Sequence, residues 1–222
     1  TIFFIAVDAA FFSSSLLKIH EGGWFPLSLG SVMLLVMLTW RRGRQIMFDK
    51  MNATAIELKS FLRSLLAAPP YRPAGTAIFL VANSDVVPRS FMHNLSHNKV
   101  MHQRVVFLTV LAEEIPYIAA EERITVEPLG DGCWRLALRF GFMERTDIPE
   151  ALKLCAKHSL EFDVMDTSFF LSREKIISTP GDGMVQWREH MFAAMARNAS
   201  SAVDYFNLPA NRVVELGAQV EI

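Results

Sequence analysis

The chain has 222 residues, 51% of them hydrophobic, and a formal net charge of −1 with its histidines neutral. Two cysteines, Cys133 and Cys155, are too few for a disulfide framework and suit a reducing cytosol. The balanced charge argues neither for nor against nucleic acid by itself, and none is expected as a partner.

The hydrophobic excess lies mostly in the first forty positions, and the remainder has a soluble composition long enough for a domain with its own core. Thr1 to Ile19 is strongly apolar from its first residue, with no initiator Met and no basic n-region. It is expected to be the outgoing half of a helical hairpin, cut inside a membrane helix, and not a secretory signal. Asp8 interrupts it, at a cost of at least ~2.5–3.5 kcal/mol if it faced lipid. Asp8 is therefore either a polar site on an ion or proton path, or a carboxyl that bonds a neighbouring helix or sits near the interface. Ser13, Ser14 and Ser15 are small enough for close helix contact.

Lys18 to Gly23 reads as a turn, with Gly22 and Gly23 supplying backbone freedom. From Trp24 to Trp40 there is no ionisable side chain. Counted from Gly22, this helix spans about 28 Å at ~1.5 Å per residue, close to a bilayer core of ~30 Å. Trp24 and Trp40 mark its ends, and Arg41, Arg42 and Arg44 form a basic stop on the cytoplasmic side. A buried core helix is the alternative. Residues 1–44 are thus expected to be two membrane helices. Residues 45–71 are expected to hold one amphipathic helix (Gln45 to Ala67) and a linker opened by Pro69-Pro70.

Residues 72–222 are expected to form a cytosolic α/β domain with a mixed sheet. The strands predicted are Thr76–Ala82, Arg104–Leu111, Arg123–Pro128 paired with Cys133–Met143 around Gly130-Asp131-Gly132, Phe162–Leu171, and Arg212–Val220. The helices predicted are Pro88–Asn98, Ile148–His158 capped by Asp147 with Glu150 completing a capping box, and Met184–Tyr205.

The most distinctive polar run is 93–102. His93 and His97 are four apart, a helical spacing able to hold zinc, with His102 nearby. No Glu follows His93 as a metalloprotease would need, no third ligand is evident, and no metal or cofactor is expected. A surface helix with solvated imidazoles is one reading. A loop that grips an anion or nucleotide through His93, Asn94, His97, Asn98 and Lys99 is another. Thr179-Pro180-Gly181-Asp182-Gly183 lacks the phosphate-loop ending and reads as a loop. No catalytic triad or nucleophile elbow is present, so no enzyme is expected.

These residues resemble the KUP/HAK/KT family of potassium uptake transporters. The resemblance runs through Asp8, Phe11-Phe12, Lys18, Gly22-Gly23-Trp24-Phe25-Pro26-Leu27 and Trp40. In the tail it runs through Pro73-Ala74-Gly75-Thr76-Ala77, His93-Asn94-Leu95-Ser96-His97-Asn98-Lys99-Val100 and Arg104-Val105-Val106. It continues with Thr167-Ser168-Phe169-Phe170, Pro209 to Gly217 and the ending Gln219-Val220-Glu221-Ile222. It implies the last two membrane helices and cytosolic tail of a transporter that imports K+, in bacteria together with H+. Its location would be the inner membrane, with several passes and a cytoplasmic tail. The K+-binding residues would lie in earlier helices, outside this chain. The resemblance implies contact with the lipid bilayer, and leaves a homodimer and a regulatory tail as expectations. The competing reading is a ligand-sensing module without transport activity.

Overall fold

A computed structural model describes residues 2–158, 160–177 and 183–221. The chain begins with α1 (Ile2–Leu17), a π-helical turn (Ile19–Gly23), α2 (Trp24–Ala53) and α3 (Leu58–Ala67). Next come β1 (Thr76–Leu80), α4 (Arg89–His93) running into a second π-helical turn (Asn94–Asn98), β2 (Arg104–Glu113), β3 (Ile124–Gly130) and β4 (Cys133–Gly141). It closes with α5 (Ile148–Lys153), β5 (Thr167–Ile177), α6 (Gln186–Arg197), α7 (Ala202–Tyr205) and β6 (Val213–Glu221). Two compact units result: the described parts of Thr1–Asp49 and Ser178–Arg197, and those of Lys50–Ile177 and Asn198–Glu221. The expected loop at 179–182 and the terminal Ile222 lie outside the described residues.

In the first unit, the turn between α1 and α2 depends on Gly22, whose φ of 134° is open to glycine and strained for other residues. Gly23 N–H reaches back to the Lys18 carbonyl at 3.0 Å, which gives the wide turn. The apolar side chains of α1 and α2 are largely exposed, as lipid-facing residues would be. The serine hydroxyls spare themselves an open polar group by bonding one turn back. Ser13 donates to the Ala9 carbonyl at 2.7 Å and Ser31 to that of Leu27 at 2.7 Å. Three residues of α2 are buried, Thr39, Gly43 and Ile46, one stripe at helical spacing. Helix α6 covers them.

The second unit is a six-stranded sheet in the order β3-β4-β2-β1-β5-β6. Every neighbouring pair is parallel except the β3–β4 hairpin. Its central strands are apolar throughout because both faces are covered. Ile78, Val106, Leu108 and Phe169 meet Ile148, Ala151 and Leu152 of α5. Ala77, Phe79, Val105 and Phe107 meet Leu58 and Leu62 of α3 and Phe91 of α4. Phe79 centres the second layer, stacked on Phe170 at 4.6 Å and edge-on to Phe91 at 5.0 Å. The fold class read from the sequence, apolar helices followed by an α/β domain with a mixed sheet, is the one observed.

Several element boundaries differ from expectation, each for a local reason. The single helix expected over Gln45–Ala67 is two, because residues 56–58 are taken up by backbone bonds to 85–87. Leu58 N–H donates to the Asp85 carbonyl at 2.8 Å, and Val87 N–H to that of Ile56 at 2.9 Å. The helix expected over Met184–Tyr205 ends at Arg197, and Ser201 caps a separate α7 through its hydroxyl on Val203 N–H at 3.2 Å. β5 starts at Thr167, later than Phe162, because Asp163 caps a 3₁₀ turn there, accepting from Met165 N–H at 2.8 Å. Asp147 caps α5 through Glu150 N–H at 2.9 Å. The box is half made, since the Glu150 carboxylate turns to Lys153 Nζ at 2.5 Å.

Candidate functional site

The polar run at 93–102 lies just before β2. Its π-helical turn ends at Lys99, whose φ of 59° is left-handed. Asn94 is 2% exposed, and its amide donates to the Val100 carbonyl at 3.0 Å while accepting from Asn98 Nδ2 at 2.8 Å. Asn94 and Asn98 therefore build the loop. His97 and Lys99 are exposed and His93 is half-buried, so these three present donors and acceptors to solvent. The His93 and His97 rings stack at 5.7 Å, with planes 11° apart. Among the described residues no third His, Cys, Asp or Glu joins them to hold a metal ion.

His102 stands apart from that pair. Its ring meets Phe170 at 6.0 Å, and its Nδ1 is buried without a partner among the described residues. Burial lowers its pKa below the ordinary value of 6.5, and the Asp166 charge opposes that only in part. The unfolded chain thus takes up the proton first. This contribution to stability is complete above pH 6.5 and is lost as the pH falls from there towards the folded-state value. The urea midpoint of the sheet unit should drop over that window, and His102→Gln should flatten the slope.

The residue that organises this end of the sheet is Arg72, just after the segment expected to be the linker. Its guanidinium donates to the carbonyls of His102 (3.3 Å), Gln103 (2.6 Å) and Asp131 (2.7 Å). It thereby joins the linker, the entry to β2 and the hairpin turn with charge-assisted bonds. The backbone continues the seam, with Met101 N–H on the Tyr71 carbonyl at 3.0 Å and Gln103 N–H on that of Pro73 at 2.9 Å. A lone Arg between prolines gave little signal, since its partners lie 30 and more residues away. Cys133 beside it is buried, and its pKa is pushed up to about 11, chiefly by desolvation. Cys155 rises to about 11 for the same reason, so both thiols stay protonated and unreactive near neutrality.

Asp8 is exposed on α1. A shallow groove of about 550 Å³ lies between α3 and the hairpin, lined by Lys59, Leu62, Arg63, Leu66 and residues 127–131. Two of its charges pair with each other, Lys59 with Glu127 at 2.8 Å, and Arg135 also reaches Glu127 at 2.8 Å.

Comparison with known proteins places these two parts in one family. Residues 74–222 match the K+ potassium transporter C-terminal domain, and residues 1–45 match the K+ potassium transporter integral membrane domain. A potassium transport system protein Kup of Nitrosospira multiformis is 54% identical over 222 residues, covering 100% of this chain and 35% of the relative. A Kup 2 protein of Cupriavidus necator is 58% identical over 225 residues, with 100% and 36% covered. One of Myxococcus xanthus is 50% identical over 219 residues, with 99% and 34% covered. The chain thus spans about a third of the length of these relatives. No solved structure matches it. An apolar helix pair matching an integral membrane domain, followed by an α/β domain matching the C-terminal domain of the same transporters, makes this chain a membrane protein and a member of the K+ potassium transporter family.

Proposed function

We propose that this chain is the C-terminal portion of a secondary transporter that imports K+ in symport with H+. The carrying observation is that α2, uncharged from Trp24 to Trp40 and exposed along its apolar length, stands in one chain with a separately cored α/β domain. The relatives' names bring potassium, and the proton comes with the family resemblance. In this reading residues 1–44 are the last two membrane helices, residues 45–71 connect them, and residues 72–222 are a cytoplasmic tail that regulates the transporter or dimerises it. The basic flank at Arg41, Arg42 and Arg44 supports that orientation. Asp8 stands on the ion path, and His93, His97 and Lys99 on a ligand-responsive loop shaped by Asn94 and Asn98.

The test is growth at low K+ of a cell lacking its own K+ uptake and carrying the full-length protein. Rescue, with acidification outside the cell speeding uptake, is the expected result. No rescue despite verified membrane insertion rules the reading out.

A second reading, a ligand-sensing module, draws on the strand order. β1 leads to one side of the sheet and β5 to the other, a reversal that in open α/β sheets marks a binding crevice. Calorimetry of the full-length protein with nucleotides tests it, and an absence of heat with the fold intact removes nucleotide sensing.

A further inference from the structure

Helix α6 and the residues just before it dock on α2 between Thr39 and Ile46. A Cβ on Gly183, just before α6, would stand 3.7 Å from the Ile46 side chain. Arg188 Nε donates to Thr39 Oγ1 at 3.0 Å. The Phe192 ring lies 5.4 Å from that of Trp40 and directly over Gly43. From 183 to 192 the contacts on α2 stay between Thr39 and Ile46, and within α6 they advance together, Arg188 on Thr39 and Phe192 on Gly43, so α6 is docked alongside this end of α2.

The level of this docking is that of Trp40 and of Arg41, Arg42 and Arg44, the ring and charges that mark the boundary of a membrane span, so α6 sits at that boundary. At 12 residues α6 is too short to enter as a second span. Its docked side buries Phe192 and Ala193, while Val185 and Trp187 at its start remain 61% and 53% exposed. Arg41, Arg42, Arg44, His190 and Arg197 are exposed around it. Of the nearby carboxylates, Glu189 is 1% exposed, and Asp49 accepts from Gln45 at 2.9 Å.

We propose that residues 183–197 form an interfacial lipid-binding helix, seated on the inner end of α2. Val185 and Trp187 enter the boundary between headgroups and acyl chains, and the surrounding arginines hold anionic headgroups. Continuity with the span and the excess of positive charge select a lipid surface as the occupant. The proposal rests on reading Trp24–Trp40 as a membrane span.

The experiment uses the full-length protein in vesicles of acyl-brominated phosphatidylcholine, with and without phosphatidylglycerol, and follows tryptophan emission. The expected result is that Trp187→Phe loses a share of the lipid quenching, and that this share shrinks without phosphatidylglycerol. Unchanged lipid quenching in Trp187→Phe, together with a loss of quenching by aqueous iodide, overturns the proposal. Equal shares in the two lipid mixtures overturn its headgroup part. If Trp24→Phe and Trp40→Phe also leave lipid quenching unchanged, the span reading itself fails. A nitroxide on Val185→Cys gives an independent reading: relaxation by oxygen supports lipid, and relaxation by a nickel chelate overturns it.

Discussion

Replacing Gly132 by alanine is expected to destabilise the sheet unit by about 2–4 kcal/mol, the sum of overpacking and left-handed strain. Gly132 has a φ of 74°, and a Cβ there would stand 2.3 Å from the Gln103 carbonyl oxygen and 3.0 Å from Arg72 Nη2. That oxygen is backbone and cannot swing away. It is also the acceptor of the shortest Arg72 bond, at 2.6 Å. Moving it would loosen the register at its start, where Val105 N–H donates to the Gly132 carbonyl at 2.8 Å. Gly130 is the internal control. Its φ of 95° carries similar strain, but a Cβ there meets nothing within 4 Å. Gly130→Ala should therefore cost only about 1–2 kcal/mol. Urea unfolding of the whole chain, followed through Trp134 in β4, measures both. The midpoint should fall with the slope unchanged. Equal costs for the two variants would show that the contact with Gln103 carries no energy.

What the sequence made legible follows from how local each signal is. The run Arg104–Leu111 can only be a doubly covered strand, and Gly130-Asp131-Gly132 demands a tight reversal whatever surrounds it. α2 runs on to Ala53 because Arg41–Arg44 mark only the end of the apolar span, whereas Arg, Gln and Met continue a helix readily. The break at 54–57 comes from backbone bonds of Ile56 and Leu58 with Val87 and Asp85, a tertiary effect that overrides the amphipathic pattern on both sides. The candidate loop at 93–99 was visible as a polar cluster, but spacing could not separate Asn94, consumed by the fold, from His97 and Lys99, which face solvent. Arg72 acts across three segments and so was invisible in any window of sequence. The same holds for α6, whose helix is predicted from the sequence while its seat on Thr39 and Gly43 is not.

That seat supports the second large effect. Substitution of Gly43 by leucine should release α6 from α2. Already a Cβ at Gly43 would lie 2.4 Å from Cγ and Cδ2 of Phe192, inside the ring and not at a flexible tip. Phe192 is fully buried, so its ring has no free space to rotate into. Overpacking of this kind costs about 1–3 kcal/mol. The Arg188 bond to Thr39, which depends on the same seat, weakens with it. A loss of about 2 kcal/mol shifts the docked-to-free ratio roughly 30-fold. Tryptic cleavage after Arg188 reads that ratio directly, because a helix is cut only when it opens and the rate follows the open population. In membranes carrying the full-length protein, cleavage at Arg188 should accelerate by about that factor in Gly43→Leu. Gly30→Leu, on the same helix with nothing within 4 Å of its Cβ, should leave the rate unchanged. If both variants cleave like the wild type, α6 does not depend on the Gly43 notch, and the contact with Phe192 is incidental to its position.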